Sequence, residues 1–564
     1  MLRTALPETR FNARMASSGL VLFAILVIAT LHVCAALRFA GATWDDSAIT
    51  LGFARSFALT GEIRPTPLSD RVEGYSTPLW MLINAAAYAV LRDPGSLLAF
   101  AKVASLDLNL ASFVLLFALL RRWCEPLLAV LLTAGFAAQP IAFYETVNGM
   151  EHPLFLFLML ASFWGYVQRE KPGRYLAFLI SSTLLVAIRW EAAWFLVPFA
   201  LLTLAEGGLR RLLALEHVLW AFVFAGLSIF RRIYFGDWLP NTIIAKANPP
   251  YSRPEIIDRI LSGASAVADL AAIILPYAAL LLVFYAARQL DPSRRPPLRH
   301  DVAVAVPAVF RSRGAACAML IILAAIILSA AVGRNWGPQA RLAYPALPFA
   351  FILAALPLQT LLSAAPRITA RAGYAGLAAL AILGAAGAYR QLGHDHAPVY
   401  QPDVTVANVA RIVAPLETLR GKAGLETISI ASPDMGGLLL YGDRVRVIDI
   451  AMLCNRDLAR SGLAGLHDVV FRREKPDVIQ AHEVWSQPLQ AIDAFFDSYV
   501  PVFVGGIRFF LRRDLAADLP VTEERFDGQG DTPRYDRSSN QFRHQGPHDF
   551  AINRRFGSYL VVDD

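Results

Sequence analysis

The sequence predicts a mostly α-helical, polytopic membrane protein that carries a soluble α/β domain at its C-terminal end. The 564 residues are 56% hydrophobic and only 17% charged, and the mean hydropathy is +0.46. These values lie far from those of soluble globular domains. Long apolar runs fill the chain up to about residue 390, and short alternating apolar stretches replace them beyond that point.

The positive net charge indicates a membrane surface as the partner rather than nucleic acid. A formal charge of +7 would suggest nucleic-acid binding in a soluble chain. Here many basic residues fall in short loops between apolar runs, where they orient the protein and contact anionic headgroups. We therefore expect membrane lipids, and no nucleic acid, as partners.

The first apolar run, residues 17–40, predicts an uncleaved signal anchor. It follows Arg3, Arg10 and Arg14. Its roughly 20 apolar residues can span a bilayer, whereas the apolar region of a cleaved signal peptide has about 7 to 15. Further spans, which bring the total to about eleven, are predicted near residues 97–120, 127–143, 153–168, 175–189, 191–205, 217–231, 261–287, 315–333, 343–364 and 373–389.

The segment 77–91 decides the topology, because counting it as a span would invert every later loop. It is apolar but short. Treating it as an interfacial helix puts the basic clusters of the later loops on the cytoplasmic side, in agreement with the positive-inside rule. The chain is then a multi-pass protein of the bacterial inner (cytoplasmic) membrane with a cytoplasmic N-terminus. Its membrane domain covers residues 1–393, its first external loop 41–96, and its extracytoplasmic domain 394–564.

The C-terminal domain reads as α/β because alternating apolar residues in LETISIAS and RVRVIDI predict strands. The stretch after about residue 520 is rich in Asp, Arg, Gly and Gln and predicts a loosely ordered tail. Four scattered cysteines form no CxxC pair, and none lies at ligand spacing from a histidine. The pattern supports neither a zinc site nor a disulfide framework.

Asp45 and Asp46 form an acidic pair just beyond the first span, where an ionised pair is costly unless it has a function. The residues that follow have helical apolar spacing and predict an interfacial helix that begins at the two carboxylates. One aspartate can cap this helix, but capping does not need two. A carboxylate in a partly desolvated cleft can act as a general base toward a hydroxyl, or the pair can hold a divalent cation such as Mg²⁺, Mn²⁺ or Ca²⁺.

The loop over residues 234–248 combines aromatic residues with a cation at the depth of lipid headgroups. An aromatic belt with a snorkelling Lys246 explains part of this composition. It does not require Asp237 and Asn241, which suggest ligand binding near Trp238.

Basic side chains from two loops are the candidate binders of a lipid phosphate. Lys246 and Arg341 can each pair with a phosphate, Arg341 in bidentate fashion, and Arg334 is a third candidate. On the predicted topology these residues emerge on the same face of the membrane as the acidic pair. They can therefore build one site with it.

Three more residues on this face are candidate substrate-binding residues. They are Glu73 and Tyr75, in the stretch VEGYSTPLW, and Glu151, in the loop YETVNGMEHP. Glu73 either joins the acidic cluster or remains solvated. Arg189 and Glu191 are close together at a span boundary, where an ion pair that stabilises the helical hairpin is the favoured interpretation.

Several strings of the sequence resemble the integral-membrane glycosyltransferases of the GT-C superfamily. They are DDSAITLGFARSFALTGEI with RVEGYSTPLW, NGMEHPLF, YFGDWLPNTIIAK and SPDMGGLLLYGDRVRVIDIAML, which extend over roughly residues 43–490. Within the superfamily the chain is most similar to the terminal β-1,2-arabinofuranosyltransferases of the mycobacterial type and their broader bacterial relatives.

This resemblance implies an inverting transferase that moves a sugar from a polyprenyl-phosphate donor to an extracytoplasmic glycan or lipid-linked acceptor. By position, it implies that Asp45 or Asp46 is the catalytic base and that the other aspartate binds a metal ion or the acceptor. It also implies that the C-terminal domain helps to bind the acceptor glycan.

Two other classes of protein are compatible with many spans. A transporter or flippase of lipid-linked sugars should show charged residues at the centres of several spans or related halves. Apart from Asp107, Asn109 and Asp269, the central parts of the predicted spans are apolar, and no convincing internal repeat is visible. A non-catalytic scaffold gives no reason for acidic, aromatic and basic residues to converge on one face.

Overall fold

The protein consists of a helical membrane domain, residues 14–393, and a sheet domain, residues 404–562. The computed structural model describes residues 14–39, 41, 43–249, 251, 256–289, 312–332, 341–365, 367–393, 404–531 and 547–562. Among these residues, six helices are long and apolar enough to cross a membrane, and a bent helix pair is a seventh candidate. The prediction of a polytopic membrane protein with a C-terminal α/β domain is confirmed.

The helices of the membrane domain are α1 (Arg14–Arg38), α2 (Asp45–Thr60), α3 (Pro78–Leu91), α4 (Pro94–Leu120), α5 (Pro126–Ala137), α6 (Pro140–Asn148), α7 (His152–Val167), α8 (Pro172–Ile188), α9 (Val197–Gly207), α10 (Leu215–Tyr234), α11 (Asn241–Lys246), α12 (Ile256–Gln289), α13 (Arg313–Val332), α14 (Leu347–Ala364) and α15 (Arg367–Gly393). Short 3₁₀ helices cover Trp190–Leu196, Gly208–Leu213 and Arg341–Ala346. The described residues of each predicted span are mostly helical, although several of these helices are too short or too polar to count among the six.

The span predicted over residues 127–143 is interrupted. Helices α5 and α6 meet there at an angle of 64°. Pro140 lacks an N–H group for a continuous helix, and the residue before a proline prefers an extended backbone. Gln139 has φ −68° and ψ 138°, which is such a conformation. The break directs α6 toward the start of α2.

Helix α3 is the apolar segment that the sequence analysis placed at the membrane interface. Its 14 residues are about 21 Å long, which is less than the thickness of about 30 Å of a hydrocarbon core. It packs against α2 and α4. Its length fits an interfacial position better than a transmembrane one.

The sheet domain contains one seven-stranded sheet in the order β2-β1-β3-β5-β4-β7-β6. The strands are β1 (Ile428–Ser432), β2 (Val445–Asp449), β3 (Val478–Ile479), β4 (Tyr499–Val504), β5 (Ile507–Arg512), β6 (Thr522–Arg525) and β7 (Ser558–Val562), and the helices are α16 (Val406–Ala410), α17 (Val413–Lys422), α18 (Gly436–Tyr441), α19 (Arg456–Ser461), α20 (Asp493–Ser498), α21 (Arg513–Ala516) and α22 (Pro547–Phe556). Strand β1 pairs in parallel with both β2 and β3. The carboxyl ends of these three strands therefore lie along one edge, where ligands commonly bind in open α/β sheets.

The C-terminal stretch differs from the loosely ordered tail that its composition predicts. Strand β7 pairs in parallel with β4, and β6 pairs with β7. Tyr559 is buried and its ring contacts Phe503 and Phe526. The apolar residues of this last strand fix it in the sheet even though polar residues precede it. The part of the tail over 532–546 lies outside the described residues.

The two domains share a hydrophobic interface built around α2. Ile49 and Phe53 of this helix pack in the same core as Leu438 and Leu439 of the sheet domain. A backbone bridge between Trp44 and Thr405 joins the residues in front of α2 to the start of the sheet domain. This interface brings the carboxyl edge of β1 to β3 against the start of α2, where the acidic pair lies.

Candidate functional site

The start of α2 is fixed by hydrogen bonds to the last residue of α6. The backbone N–H of Trp44 and the hydroxyl of Ser47 both donate to Asn148 Oδ1, at 3.3 and 2.9 Å. On the other side, the N–H of Val406 donates to the carbonyl oxygen of Thr43 at 3.0 Å. The acidic pair is thus held between the membrane domain and the sheet domain.

Asp45 binds the sheet domain rather than capping its own helix. Its Oδ2 accepts hydrogen bonds from the N–H groups of Met435 (3.0 Å) and Gly436 (2.6 Å), and its Oδ1 accepts one from Gly437 (2.7 Å). The residue is only 6% exposed. Burial raises the pKa of Asp45, the charge of Asp434 acts in the same direction, and the N–H donors of the two glycines act against both.

Asp46 is the open member of the pair. Its side chain is half-buried, and within the described part of the chain it forms no hydrogen bond or ion pair. Its charge acts on Lys246, Tyr251 and Cys454. A carboxylate without a committed partner, next to a cation, is free to accept a proton from a substrate hydroxyl.

Lys246 lies within electrostatic range of both Arg341 and Asp46. Lys246 is the last residue of α11 and remains accessible. Desolvation by the surrounding protein lowers the pKa of Lys246, and the charge of Arg341 lowers it further, whereas Asp46 acts in the opposite direction. Arg341 is 7% exposed, and its Nε lacks a hydrogen-bond partner among the described residues.

Two cations that repel each other in a partly buried place indicate an anion-binding site. The sequence analysis predicted this pairing for a phosphate, and the structure brings Lys246 and Arg341 within electrostatic range of each other. Arg334, the third predicted cation, lies outside the described residues. The site that the described residues support therefore consists of Asp46, Lys246 and Arg341.

Glu151 belongs to a buried ionic network beside this site. Arg189 forms ion pairs with Glu151 and with Glu191, and its Nε donates to Glu191 at 2.8 Å. His152 lies between two carboxylates, 3.1 Å from Glu145 and 3.7 Å from Glu151. The predicted pairing of Arg189 with Glu191 is confirmed, and it extends to Glu151.

The network reaches the cation pair, because Glu151 lies within electrostatic range of Arg341 and Glu191 within range of Lys246. Glu151 is only 1% exposed. Its place in the structure fits a role in holding Arg189 and neutralising the cation pair, rather than a direct contact with substrate.

Glu73 is neither part of the acidic cluster nor solvated. Its carboxylate forms a buried two-point ion pair with Arg231, in which Nη2 donates to Oε1 at 3.0 Å. The carbonyl oxygen of Glu73 accepts the N–H of Asn241 at 3.2 Å. Tyr75 is buried as well, with its ring 5.0 Å from that of Phe53. These residues tie the first external loop to α10 and α11.

Asp237 and Asn241 fasten the loop over residues 234–248 to the sheet domain. Asp237 forms ion pairs with Arg456, at 2.9 Å, and with Arg460. The amide of Asn241 donates to the carbonyl oxygens of Met452 and Leu453 at 2.9 and 2.7 Å.

Trp238, in contrast, is 60% exposed, as suits a side chain in a headgroup layer. In the structure, Asp237 and Asn241 therefore hold the loop on the sheet domain. Lys246, near the end of the loop, lies within electrostatic range of Asp46 instead.

The sheet domain adds polar residues that the sequence analysis did not single out. Asp434, after β1, lies 2.5 Å from Nε2 of His482, which follows β3. Asp449, at the end of β2, accepts the N–H groups of Ala451 and Cys454 at 2.7 and 2.6 Å. The strings SPD and VIDI could have predicted these residues, because polar residues at the carboxyl ends of parallel strands lie together at one edge of the sheet.

The acidic pair does not fit a divalent cation well. The oxygens of Asp45 already accept three backbone N–H groups, and such donors compete with a cation for the same lone pairs. Within the described stretches, no group of three or more His, Cys, Asp or Glu residues is arranged to hold a metal ion.

Comparison with known proteins supports the fold. Neither a protein-family model nor a curated protein sequence matches the chain. Two crystal structures of ArnT from Cupriavidus metallidurans are similar to it, one bound to undecaprenyl phosphate and one in the apo state, with TM-scores of 0.56 and 0.54. Both are 13% identical in sequence, and each match covers 88% of this chain and 98% of the other. The protein is thus a polytopic membrane protein with the same fold as ArnT.

Proposed function

We propose that this protein is a GT-C-type glycosyltransferase that moves a sugar from a polyprenyl-phosphate donor to a hydroxyl group of a glycan or glycolipid. The observation that carries the proposal is that Lys246 lies within electrostatic range of both a second cation, Arg341, and the carboxylate of Asp46. This arrangement occurs in a fold that resembles ArnT over nearly the whole chain.

The donor is proposed to be a sugar attached to a polyprenyl phosphate. One similar ArnT structure contains undecaprenyl phosphate, and this chain offers two cations for a phosphate. Outside a cytoplasmic membrane no nucleotide sugars are available, so an activated sugar must arrive on a lipid. Lys246 and Arg341 would bind the phosphate and stabilise the charge that develops on it as it leaves.

The acceptor hydroxyl is proposed to lose its proton to Asp46. As the hydroxyl oxygen attacks the anomeric carbon, the bond between this carbon and the phosphate oxygen breaks, and the phosphate keeps the electron pair. Attack from the side opposite the phosphate inverts the configuration of the anomeric carbon. General-base catalysis of this kind contributes about 10²- to 10⁴-fold to the rate.

The site is proposed to face the outer side of the bacterial inner membrane. The basic loops predicted on the opposite side of the spans support this orientation through the positive-inside rule. The sheet domain would then lie outside the cytoplasm, next to glycan acceptors.

The test is a transfer assay with a panel of chemically defined donors. Purified protein in lipid is incubated with polyprenyl-phosphate sugars, including an arabinofuranosyl donor because of the sequence resemblance, and with candidate glycan acceptors. We expect a mass increase of one sugar on an acceptor with one donor, and no transfer when Lys246→Ala and Arg341→Ala are combined. Movement of the intact donor across the bilayer without any transfer would instead support a flippase.

A further inference from the structure

We propose that Asp45 is a positioning residue that sets the sheet domain on the first loop and so places Asp46. This assigns different roles to the two neighbouring aspartates. The inference rests on the proposed transferase activity for its kinetic readout, but its structural readout is independent of any reaction.

The contact between Asp45 and the sheet domain is formed by three consecutive N–H groups. We call residues 434–437 the glycine turn. The carboxylate of Asp45 accepts the N–H groups of its last three residues, and both oxygens take part. Two lone pairs on each oxygen suit an ionised carboxylate for this contact, whereas an asparagine offers only one acceptor oxygen.

The two positions of this turn need glycine, because neighbouring backbone atoms leave no room for a Cβ atom. A Cβ atom on Gly436 would collide with the carbonyl oxygen of Asp45. A Cβ atom on Gly437 would lie 2.5 Å from the backbone nitrogen of Ala410, on the opposite side. The turn is therefore pressed between the first loop and α16. This gives a physical reason for the glycine pair in the string SPDMGG.

The contact continues along two helices that run side by side in the same direction. Gly52 of α2 faces Leu439 of α18, and a Cβ atom on Gly52 would lie 2.5 Å from the Cβ atom of Leu439. At the far end, Arg55 pairs with Asp443. Asp45 fixes the near end of this contact, where the site lies, and close packing at Gly52 fixes its register.

The contact of Asp45 also determines where Asp46 lies. Asp46 is joined to Asp45, and Asp434 directly precedes the residues that bind Asp45. Seating Asp45 in the glycine turn thus places Asp46 and the Asp434–His482 pair around the same space. If the contact is lost, the base and the edge of the sheet separate, although both domains remain folded.

The experiment compares four variants of the full chain in lipid. Asp45→Asn removes an acceptor from the contact, and Gly436→Ala disrupts the contact from the other side. Asp46→Asn changes the adjacent carboxylate only. Asp70→Asn is the control, since this aspartate of the first loop is 93% exposed and exposed ion pairs contribute little to stability.

The first readout is amide hydrogen exchange in the peptide that contains the glycine turn. We expect faster exchange there in Asp45→Asn and Gly436→Ala, and exchange as in the wild type for Asp46→Asn and Asp70→Asn. Faster exchange throughout the whole sheet domain would indicate general unfolding and would contradict a positioning role.

The second readout is transfer kinetics. In Asp45→Asn and Gly436→Ala we expect kcat to fall about tenfold or more, while the acidic limb of the pH profile remains because Asp46 is intact. The proposal is overturned if Asp45→Asn removes this acidic limb and leaves exchange of the glycine turn unchanged, since Asp45 would then be the base. Absence of transfer in every protein, wild type included, with the predicted exchange pattern would leave the contact established and contradict the proposed activity alone.

Discussion

Glu73 and Arg231 form a buried ion pair that joins the first external loop to α10, and the carbonyl oxygen of Glu73 holds the start of α11. Helix α11 ends at Lys246. The position of this cation therefore depends on an ion pair between residues 158 positions apart in the sequence. The site is assembled from loops that are distant in the chain, and buried polar contacts hold these loops together.

Breaking the Glu73–Arg231 pair should destabilise the protein. Glu73→Gln leaves Arg231 as a buried cation without its carboxylate, and removing one partner of a buried pair costs about 3–5 kcal/mol. We expect a clear fall in the melting temperature of the purified protein in lipid. Glu73→Leu combined with Arg231→Leu should recover much of this loss, because no uncompensated charge remains. Equal melting temperatures for Glu73→Gln and the wild type would contradict the structural role.

The affinity for the donor phosphate should depend on both cations. Lys246→Met and Arg341→Met should each weaken the binding of polyprenyl phosphate by about tenfold or more, since each removes a charge-assisted hydrogen bond. Direct binding of a labelled polyprenyl phosphate measures this. Arg555→Met is a suitable control, because this arginine pairs with Asp493 on the exposed surface of the sheet domain. Unchanged binding in both cation variants would contradict the phosphate site.

The pH dependence of donor binding should reflect Lys246. Desolvation by the surrounding protein and the charge of Arg341 lower the pKa of Lys246, and a bound phosphate favours the protonated ammonium group. Binding therefore takes up a proton when the lysine is neutral, and affinity should fall as the pH rises through the pKa of the free lysine. Lys246→Arg stays charged, so its affinity should remain constant over the same range. A parallel decline in both proteins would assign the effect to another group.

Asp449 should make the stability of the protein depend on pH. Burial raises the pKa of Asp449 to about 7, although the N–H groups of Cys454 and Ala451 act in the opposite direction. The unfolded chain titrates this group near its ordinary value of about 4. Between these values the folded state holds a proton that the unfolded state has lost, so the free energy of unfolding falls as the pH rises.

This contribution is complete below the unfolded pKa and lost above the folded one. The melting temperature of the wild type relative to Asp449→Asn, measured from pH 5 to pH 8, should therefore decrease as the pH rises. A difference that stays constant or increases over this range would contradict the raised pKa of Asp449.

The sequence was sufficient for the architecture because long apolar runs and alternating stretches have few structural solutions. The helices of the membrane domain and the following α/β domain were predictable on this ground. The break at Pro140 could also have been predicted, because proline interrupts a helix. The ordered last strand with Tyr559 could not, because the residues before it are polar.

The site was only partly predictable, because its contacts join distant residues. Composition indicated that Lys246 and Arg341 lie on one face with the acidic pair. It could not indicate that Glu73 pairs with Arg231 or that Asp237 pairs with two arginines of α19, because a charged residue in a loop has many possible partners. The backbone contact of Asp45 leaves no trace in residue type except the two glycines.

The most direct test of the account is single-turnover sugar transfer by Asp46→Asn, with donor binding measured on the same preparation. Asp70→Asn, whose side chain is 93% exposed in the first loop, is the matched control. We expect Asp46→Asn to bind polyprenyl phosphate like the wild type and to transfer sugar about 10²- to 10⁴-fold more slowly, with the control unaffected. Transfer by Asp46→Asn at the wild-type rate would contradict the assignment of Asp46 as the base.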